Sequence, residues 1–271
     1  MLGASLTSSC RLDDNFGVCP QRTSPGAWCQ VPVMSASQSP SLRQRARAPS
    51  EPELADIPWM ALLDDLDRRE AAASLLVVNA DPGERVCRFG APSNYWFGVI
   101  DGLLKMSNVS RDGHQITYTG VPPGAWFGEG TLLKREVYRY NIEALRKSTV
   151  AGLPIEVFWR LLERSIPFNR FVMMQLNERL SQFIAAREID RNNRPDARVA
   201  RSLAALFHPV LYPGVGQILR ITQQELAWLV GLSRQRVNQA LVTLQGEGLI
   251  RIEYGGLRVL DLAALRDYQL G

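Results

Sequence analysis

Apolar residues recur three and four positions apart over residues 222–245, in two runs separated by a turn. This spacing predicts two short amphipathic helices. Thr222 and Glu225 have the spacing of a capping box, and Ser233 can cap the second helix. Gly231 supplies the positive φ that a sharp turn between the helices requires. The stretch is typical of a helix-turn-helix unit that lays its second helix in the DNA major groove.

The predicted second helix opens with polar and basic side chains, while Val237, Leu241 and Leu244 form its apolar stripe. An ordinary helical hairpin with a solvated polar face is the alternative interpretation. The capping box, the glycine turn and the basic opening together favour DNA binding. The predicted DNA-binding residues are Thr222, Ser233, Arg234, Gln235, Arg236, Asn238 and Gln239.

A β-hairpin is predicted directly after these helices. Residues 249–254 and 257–260 are strand-like and flank a Gly255-Gly256 turn. Such a hairpin forms the wing of a winged helix-turn-helix. Arg251 and Arg258 are candidates for phosphate contacts, and a solvated strand face explains them equally well.

The N-terminal half shows a different pattern. From residue 74 to about residue 129, short alternating runs are separated by turn sequences such as Asp81-Pro82-Gly83. Regular short strands with such turns predict an antiparallel barrel or jelly roll. The predicted fold class is therefore α+β, with an antiparallel β jelly-roll barrel, a long dimerisation helix and a C-terminal winged helix-turn-helix.

A long helix is predicted over residues 168–192. Met173, Leu176, Leu180 and Phe183 recur at coiled-coil spacing, and further apolar residues lie on neighbouring faces. A helix with two apolar faces needs two partners. We expect the barrel of the same chain on one side and a second copy of the chain on the other, with burial inside one monomer as the alternative.

Four segments follow from these patterns. Residues 1–55, rich in Ser, Pro, Ala and Arg, are expected to be disordered. Met34 begins a plausible shorter product, so residues 1–33 are hypothesised to be an over-extended gene start. The remaining segments are a sensor barrel over 56–165, a dimerisation helix over 166–193 and a DNA-binding domain over 194–271.

The order of barrel, long helix and winged helix-turn-helix resembles the Crp/Fnr family of bacterial transcription regulators. The matching sequence lies at 221–227, 233–238 and 249–250 in the C-terminal half and at 124–129 and 144–145 in the barrel. The resemblance implies a homodimeric activator or repressor that binds a near-palindromic double-stranded DNA operator. It also implies RNA polymerase as a partner and a cyclic-nucleotide-binding-like barrel.

The resemblance further implies an effector site in the barrel. Gly128 and Glu129 match the Gly-Glu pair whose carboxylate binds a ribose hydroxyl, and Arg139 has the spacing of the phosphate-binding Arg. Tyr140 stands where Ser or Thr is usual, and a shift of one residue places Tyr138 at the Arg position. The candidate effector residues are Gly128, Glu129, Arg139, Tyr140 and Phe183. A cyclic nucleotide, another small molecule and no ligand all remain open, and the sequence assigns no other cofactor.

Composition changes this picture only slightly. The 271 residues carry a net charge of +4 and a pI near 9.0, which mildly favours an anionic partner. The sequence has no apolar run long enough for a membrane helix and no secretory signal, so a cytoplasmic location is expected. We find no paired nucleophile and base and no glycine-rich phosphate loop, so catalysis is not predicted.

Two alternatives remain. A cluster bound by Cys10, Cys19, Cys29 and Cys87 would make the protein an iron–sulfur redox-sensing regulator, although gaps of eight and nine residues are wide for such ligands. Incidental thiols are the simpler interpretation, and no metal ligand is assigned. In the second alternative, the protein is a small-molecule receptor whose winged helix binds a protein partner instead of DNA.

Overall fold

The structure is a computed structural model that describes residues 42–110, 112–113, 115–191 and 194–268, without the side chains of Arg43 and of residues 186–191. The hypothesised start at Met34 and three of the four cysteines, Cys10, Cys19 and Cys29, lie outside the described residues. None of the helices in these ranges is both long and apolar enough to cross a membrane.

The described chain has a β-rich half followed by a mainly helical half. The helices are α1 Glu51–Ala55, α2 Asp65–Ser74, α3 Glu129–Lys134, α4 Ile155–Arg164, α5 Ile166–Arg191, α6 Pro195–Leu206, α7 Gln223–Val230, α8 Arg234–Gly246 and α9 Leu262–Arg266. The strands are β1 Leu76–Ala80, β2 Arg85–Cys87, β3 Tyr95–Asp101, β4 Leu104–Val109, β5 Gln115–Val121, β6 Trp126–Phe127, β7 Asn141–Ala144, β8 Ser148–Pro154, β9 Ile218–Leu219, β10 Ile250–Glu253 and β11 Gly256–Val259. Short 3-10 helices cover Leu42–Arg45 and Met60–Leu62.

The β-rich half forms the barrel that the alternating pattern predicts. Its two antiparallel four-stranded sheets have the strand orders β1-β8-β3-β6 and β2-β7-β4-β5. Alternate residues of the first sheet point to opposite sides, because side chains alternate along a strand. Phe127 and Val150 face the barrel interior, whereas Trp96 and Trp126 pack against the helices outside it. The predicted α+β fold with an antiparallel barrel is confirmed.

Residues 42–55 are ordered, so the prediction of disorder is wrong for this part of the N-terminal segment. The amide of Arg47 donates to the carbonyl of Val77 at 2.9 Å, and the reverse bond measures 2.8 Å. Arg45 forms an ion pair with Glu84, and Arg47 pairs with Glu53. The Arg47 guanidinium lowers the pKa of Glu53 to about 2. Pairing with β1 and with these acids orders a stretch whose composition suggests disorder.

Helix α5 begins two residues before the predicted helix and is 26 residues long. Phe168 and Val172 are buried against the outer face of the barrel. Apolar residues on another side remain exposed, namely Ile166, Met173, Met174, Leu180, Phe183 and Ile184. The barrel therefore covers one of the two apolar faces that the sequence predicts.

The C-terminal half contains helices α6 to α9 and the three-stranded sheet β10-β11-β9. The predicted hairpin is present as β10 and β11, and the sequence pattern missed β9, which pairs with β11 over only two residues. Helices α6 and α8 bury Leu203 and Leu241 in one core with Leu226 of α7. This packing sets the position of α8.

Candidate nucleic-acid interface and effector site

The turn between α7 and α8 has the predicted capping interactions. The Thr222 hydroxyl accepts from the Glu225 amide at 3.1 Å, and the Glu225 carboxylate accepts from the Thr222 amide at 2.7 Å. Gly231 ends α7 with φ 71°, in the left-handed region that glycine adopts without steric cost. The Ser233 hydroxyl accepts from the Arg236 amide at 3.2 Å and caps α8. These contacts fix the direction in which α8 leaves the turn.

Helix α8 has one buried and one polar face. Val237, Ala240, Leu241 and Leu244 are buried in the domain core. The predicted DNA-binding residues on the other side are exposed, with Arg236 partly buried; the exposed ones are Ser233, Arg234, Gln235, Asn238 and Gln239. The first turn of α8 therefore presents hydrogen-bonding groups to the outside.

Two of the candidate residues differ from the others in being without an internal partner. Within the described part of the chain, the side chains of Arg234 and Gln235 make no hydrogen bond or ion pair. Arg236 donates to Gln239 at 2.9 Å and lies 3.8 Å from Asp196. Arg234 and Gln235 can contact a ligand without breaking existing hydrogen bonds, whereas Arg236 is suited to holding Gln239 in place.

The hairpin adds exposed groups beside α8. Arg251 and Tyr254 are exposed, and Tyr254 lies at the hairpin turn. Arg258 is engaged within the protein, because its guanidinium donates to Glu253 and to Gln217 at 2.6 Å each. Of the two arginines predicted as phosphate contacts, only Arg251 is thus available without rearrangement.

An ion pair links the barrel to the helix-turn-helix, and the sequence analysis missed it. Arg146, in the turn between β7 and β8, lies 3.6 Å from the carboxylate of Glu225 and also donates to the carbonyl of Arg220. Glu225 is 5% exposed. The same carboxylate therefore caps α7 and holds that helix against the barrel.

The candidate effector site contains a charged residue that the sequence analysis did not include. Glu129 is 1% exposed and accepts from Arg179 of α5 at 2.8 Å. Arg179 also donates to the carbonyl of Trp126 at 2.6 Å. Burial alone would lower the pKa of Arg179, but the negative charge of Glu129 raises it above its ordinary value. The carboxylate expected to bind a ribose is thus already paired within the chain.

The other candidate effector residues are only partly brought together. Gly128 directly precedes α3 as its N-cap residue, and Tyr140 is partly buried, with a pKa raised chiefly by that burial. Arg139 points away, since its side chain is 69% exposed and lies 3.7 Å from Glu136. Phe183, although 47% exposed, lines a cavity of about 80 Å³ beside Arg179.

Tyr138 is buried where the alternative alignment would place the phosphate-binding Arg. Its hydroxyl donates to the carbonyl of Tyr95 at 2.9 Å. A phenol already committed to a backbone carbonyl provides no positive charge for a phosphate. The phosphate-binding group is therefore missing in both alignments.

Cys87 is 3% exposed, and burial raises the pKa of its thiol. Metal ligation requires the thiolate, which such an environment disfavours. In the described ranges, no group of three or more His, Cys, Asp or Glu side chains could hold a metal ion. The three other cysteines of the hypothesised cluster lie outside those ranges.

Comparison with known proteins gives matches to both halves. A family model described as the cyclic nucleotide-binding domain matches residues 77–165, and one described as the Crp-like helix-turn-helix domain matches residues 197–268. The transcriptional regulator SdrP of Thermus thermophilus is 31% identical over 182 residues, which cover 65% of this chain and 84% of that protein. The cyclic AMP receptor protein of the same species is 28% identical over 173 residues, covering 64% and 78%.

A solved structure shows the same architecture. FixK2 from Bradyrhizobium japonicum aligns with a TM-score of 0.54 at 15% identity, covering 70% of this chain and 95% of that one. An identity this low supports a shared fold and nothing finer.

Proposed function

The chain belongs to the Crp/Fnr family of transcription regulators, and we propose that it acts as a homodimer on near-palindromic double-stranded DNA. In this proposal, residues 56–165 form the sensor barrel, 166–193 the dimerisation helix and 194–271 the DNA-binding domain. An activator of this type would also contact RNA polymerase. The exposed, internally unpartnered start of α8 is the observation that carries the proposal.

Arg234 and Gln235 are proposed to read bases. Arg pairs bidentately with guanine and Gln with adenine in the major groove. Thr222, Ser233, Arg236, Asn238 and Gln239 would then fix α8 or contact neighbouring bases and phosphates. Asn238 already accepts from Gln223 at 2.7 Å, so its amide is held at a defined orientation on this surface.

Helix α5 is proposed to join the two copies. Ile166, Met173 and Leu180 are exposed and recur every seven residues, which is the spacing of a coiled-coil seam. A second copy would remove this apolar surface from water. Two α8 helices related by the resulting twofold axis would read half-sites about one helical turn apart.

For the effector, we propose that this barrel does not bind a cyclic nucleotide through Glu129 and Arg139. Arg179 donates to Oε1 of the Glu129 carboxylate, and Arg139 extends into solvent. Only Oε2 of Glu129, which has no hydrogen-bond partner, is left to accept from a ribose hydroxyl, and the phosphate would lack its usual cation. The residues present do not fit the ligand that the family resemblance implies.

DNA recognition is tested by selecting bound sequences from random DNA and measuring affinities by fluorescence anisotropy. Replacing Arg234 by Ala should weaken binding to the selected site about 5- to 150-fold and relax the preference at one base. Arg69→Gln, a surface change on α2, is the matched control. If the Arg234 variant keeps its full sequence preference, Arg234 does not read a base. DNA affinity that does not fall as the salt concentration rises would favour a protein as the partner of the winged helix.

Effector binding is tested by calorimetric titration of cAMP into the full chain. We expect no saturable heat and no change in DNA affinity. Saturable micromolar binding that disappears in Glu129→Gln would show that Glu129 binds the nucleotide, and the effector proposal would fail while the DNA-binding proposal stood.

A further inference from the structure

A second cavity lies at the end of the barrel where the N-terminal segment crosses it. Its volume of about 310 Å³ falls at the lower end of the range of small-molecule sites, roughly 300–1,000 Å³. Inner-face residues of the first sheet, including Val78, Phe97 and Val150, provide much of the apolar wall. Leu42 and Ala46 of the crossing segment form another part of that wall.

Polar side chains also border this largely apolar cavity, among them Arg85, Arg88 and Tyr138. Arg88 is exposed and, among the described residues, its side chain has no hydrogen bond or ion pair. Arg85 also borders the cavity, but its guanidinium lies 3.8 Å from Glu143. The Tyr138 hydroxyl is already bonded to the Tyr95 carbonyl. Arg88 is therefore the cationic group available to an anion at this cavity.

The cavity is separate from the effector site that the family resemblance implies. Neither Glu129 nor Arg179 lines it. Tyr138 lies between the two, because its ring is 3.6 Å from the position that a Cβ on Gly128 would occupy. The ring therefore closes the cavity on the side towards Gly128.

Backbone hydrogen bonds and ion pairs hold the covering segment in place. The bonds join Arg47 to Val77, and an ion pair joins Arg45 to Glu84. Together with a longer ion pair between Arg45 and Asp81 at 3.8 Å, these are the hydrogen bonds and ion pairs that join residues 45–47 to the barrel in the described part of the chain. A ligand could enter by displacing this short segment without unfolding either sheet.

We propose that the cavity binds an apolar carboxylate, such as a medium-chain fatty acid, with its chain between the sheets and its carboxylate at Arg88. The apolar lining excludes a strongly hydrated ligand, because its polar groups would be left without partners. Of the two arginines at the cavity, Arg85 is paired with Glu143, so Arg88 is left to bind one anionic head group. The proposal does not depend on DNA binding, which the same preparation can report separately.

The test is calorimetric titration of the full chain with decanoate, and with decanol and decyltrimethylammonium as head-group controls. Decanoate should bind saturably at concentrations below micelle formation, and decyltrimethylammonium should not. In Arg88→Gln, decanoate affinity should fall roughly tenfold because a charge-assisted bond is lost, while decanol affinity stays unchanged. Arg69→Gln is the matched control for charge.

Two variants that fill the cavity complete the test. Val78→Phe and Ala46→Trp should each abolish decanoate binding, with circular dichroism and DNA affinity confirming that the variant is folded. Ala46 lies in the covering segment, so its replacement leaves the sheets intact if Val78→Phe fails to fold. Absence of saturable decanoate binding, or binding that survives in a folded filling variant, would overturn the proposal. If the filling variants lose decanoate binding but Arg88→Gln binds decanoate as tightly as the unmodified protein, the placement of the carboxylate at Arg88 would be overturned.

Discussion

Replacing Arg179 by Met should destabilise the protein by about 3–5 kcal/mol, the usual cost of removing one partner from a buried ion pair. Glu129 is 1% exposed, and the Arg179 side chain is 14% exposed, so solvent cannot compensate for the lost cation. The carbonyl of Trp126 also loses its bond from Arg179. Met retains an apolar stem of similar reach, so the loss reports the charge and hydrogen bonds more than a cavity.

The measurement is urea unfolding followed by fluorescence of the buried tryptophans, in a double-mutant cycle with Glu129→Gln. Arg179→Met combined with Glu129→Gln leaves no unpaired charge, so the double variant should lose about 2 kcal/mol less than the sum of the single losses. Arg69→Met should change stability by no more than about 0.5 kcal/mol. Additive losses, or an Arg179 variant as stable as this control, would refute the view that Arg179 neutralises Glu129.

Three further changes probe the helix-turn-helix and its attachment. Gly231→Ala places a side chain at φ 71° and should cost about 1–2 kcal/mol in urea unfolding, and an unchanged midpoint would contradict the required left-handed turn. Arg146→Met removes the pair with Glu225 and should increase hydrogen exchange in α7 but not in α9; equal exchange in both proteins would count against this link. Burial lowers the pKa of His208, and its ring nitrogen accepts bonds from the amides of residues 210–211. The stability that neutral His208 contributes should therefore be fully present above its unfolded pKa of about 6.5 and should be lost as the pH falls through the lower folded pKa. A His208→Asn variant whose stability changes with pH in the same way as that of the unmodified protein would disprove this role of His208.

The helix-turn-helix was predictable because its signals are local. A capping box places its two partners three residues apart, and a left-handed turn restricts the residue at a single position. Thr222, Glu225, Gly231 and Ser233 therefore identify the turn without knowledge of the rest of the fold. The barrel strands were predictable from alternation and turns for the same reason, whereas the two-residue strand β9 was too short to show a pattern.

Contacts between distant parts of the chain were not predictable in this way. Arg179 and Glu129 are 50 residues apart. The only sequence signal is an arginine between Leu176 and Leu180, which is equally typical of a solvated helix face. The order of residues 42–55 likewise depends on Val77 and on acids of the barrel, and a composition rich in Ser, Pro and Arg cannot reveal those partners. The role of Arg179 and the order of residues 42–55 were therefore not predicted because both depend on partners that are distant along the chain.

The polar side of α5 provides a physical route from the barrel to α8. Arg179 forms a hydrogen bond with Glu129 of the barrel. One turn before it, Gln175 donates to the carbonyl of Val210 at 2.7 Å, and one turn after it, Gln182 donates to the carbonyl of Ala205 at 3.1 Å. These residues recur at intervals of four and three, so they lie along one side of the helix. A shift of α5 must then either break these bonds or carry the end of α6 with it.

Helix α6 shares its core with α8, so displacement of α6 would change the direction in which Arg234 is presented. Any ligand acts on DNA binding only as far as it binds one such arrangement more tightly than the other. The Glu129–Arg179 pair already favours one position of α5 without an added effector. Since breaking that pair removes one of the contacts that hold α5 to the barrel, Arg179→Met should alter DNA affinity even though Arg179 is not part of the proposed DNA surface.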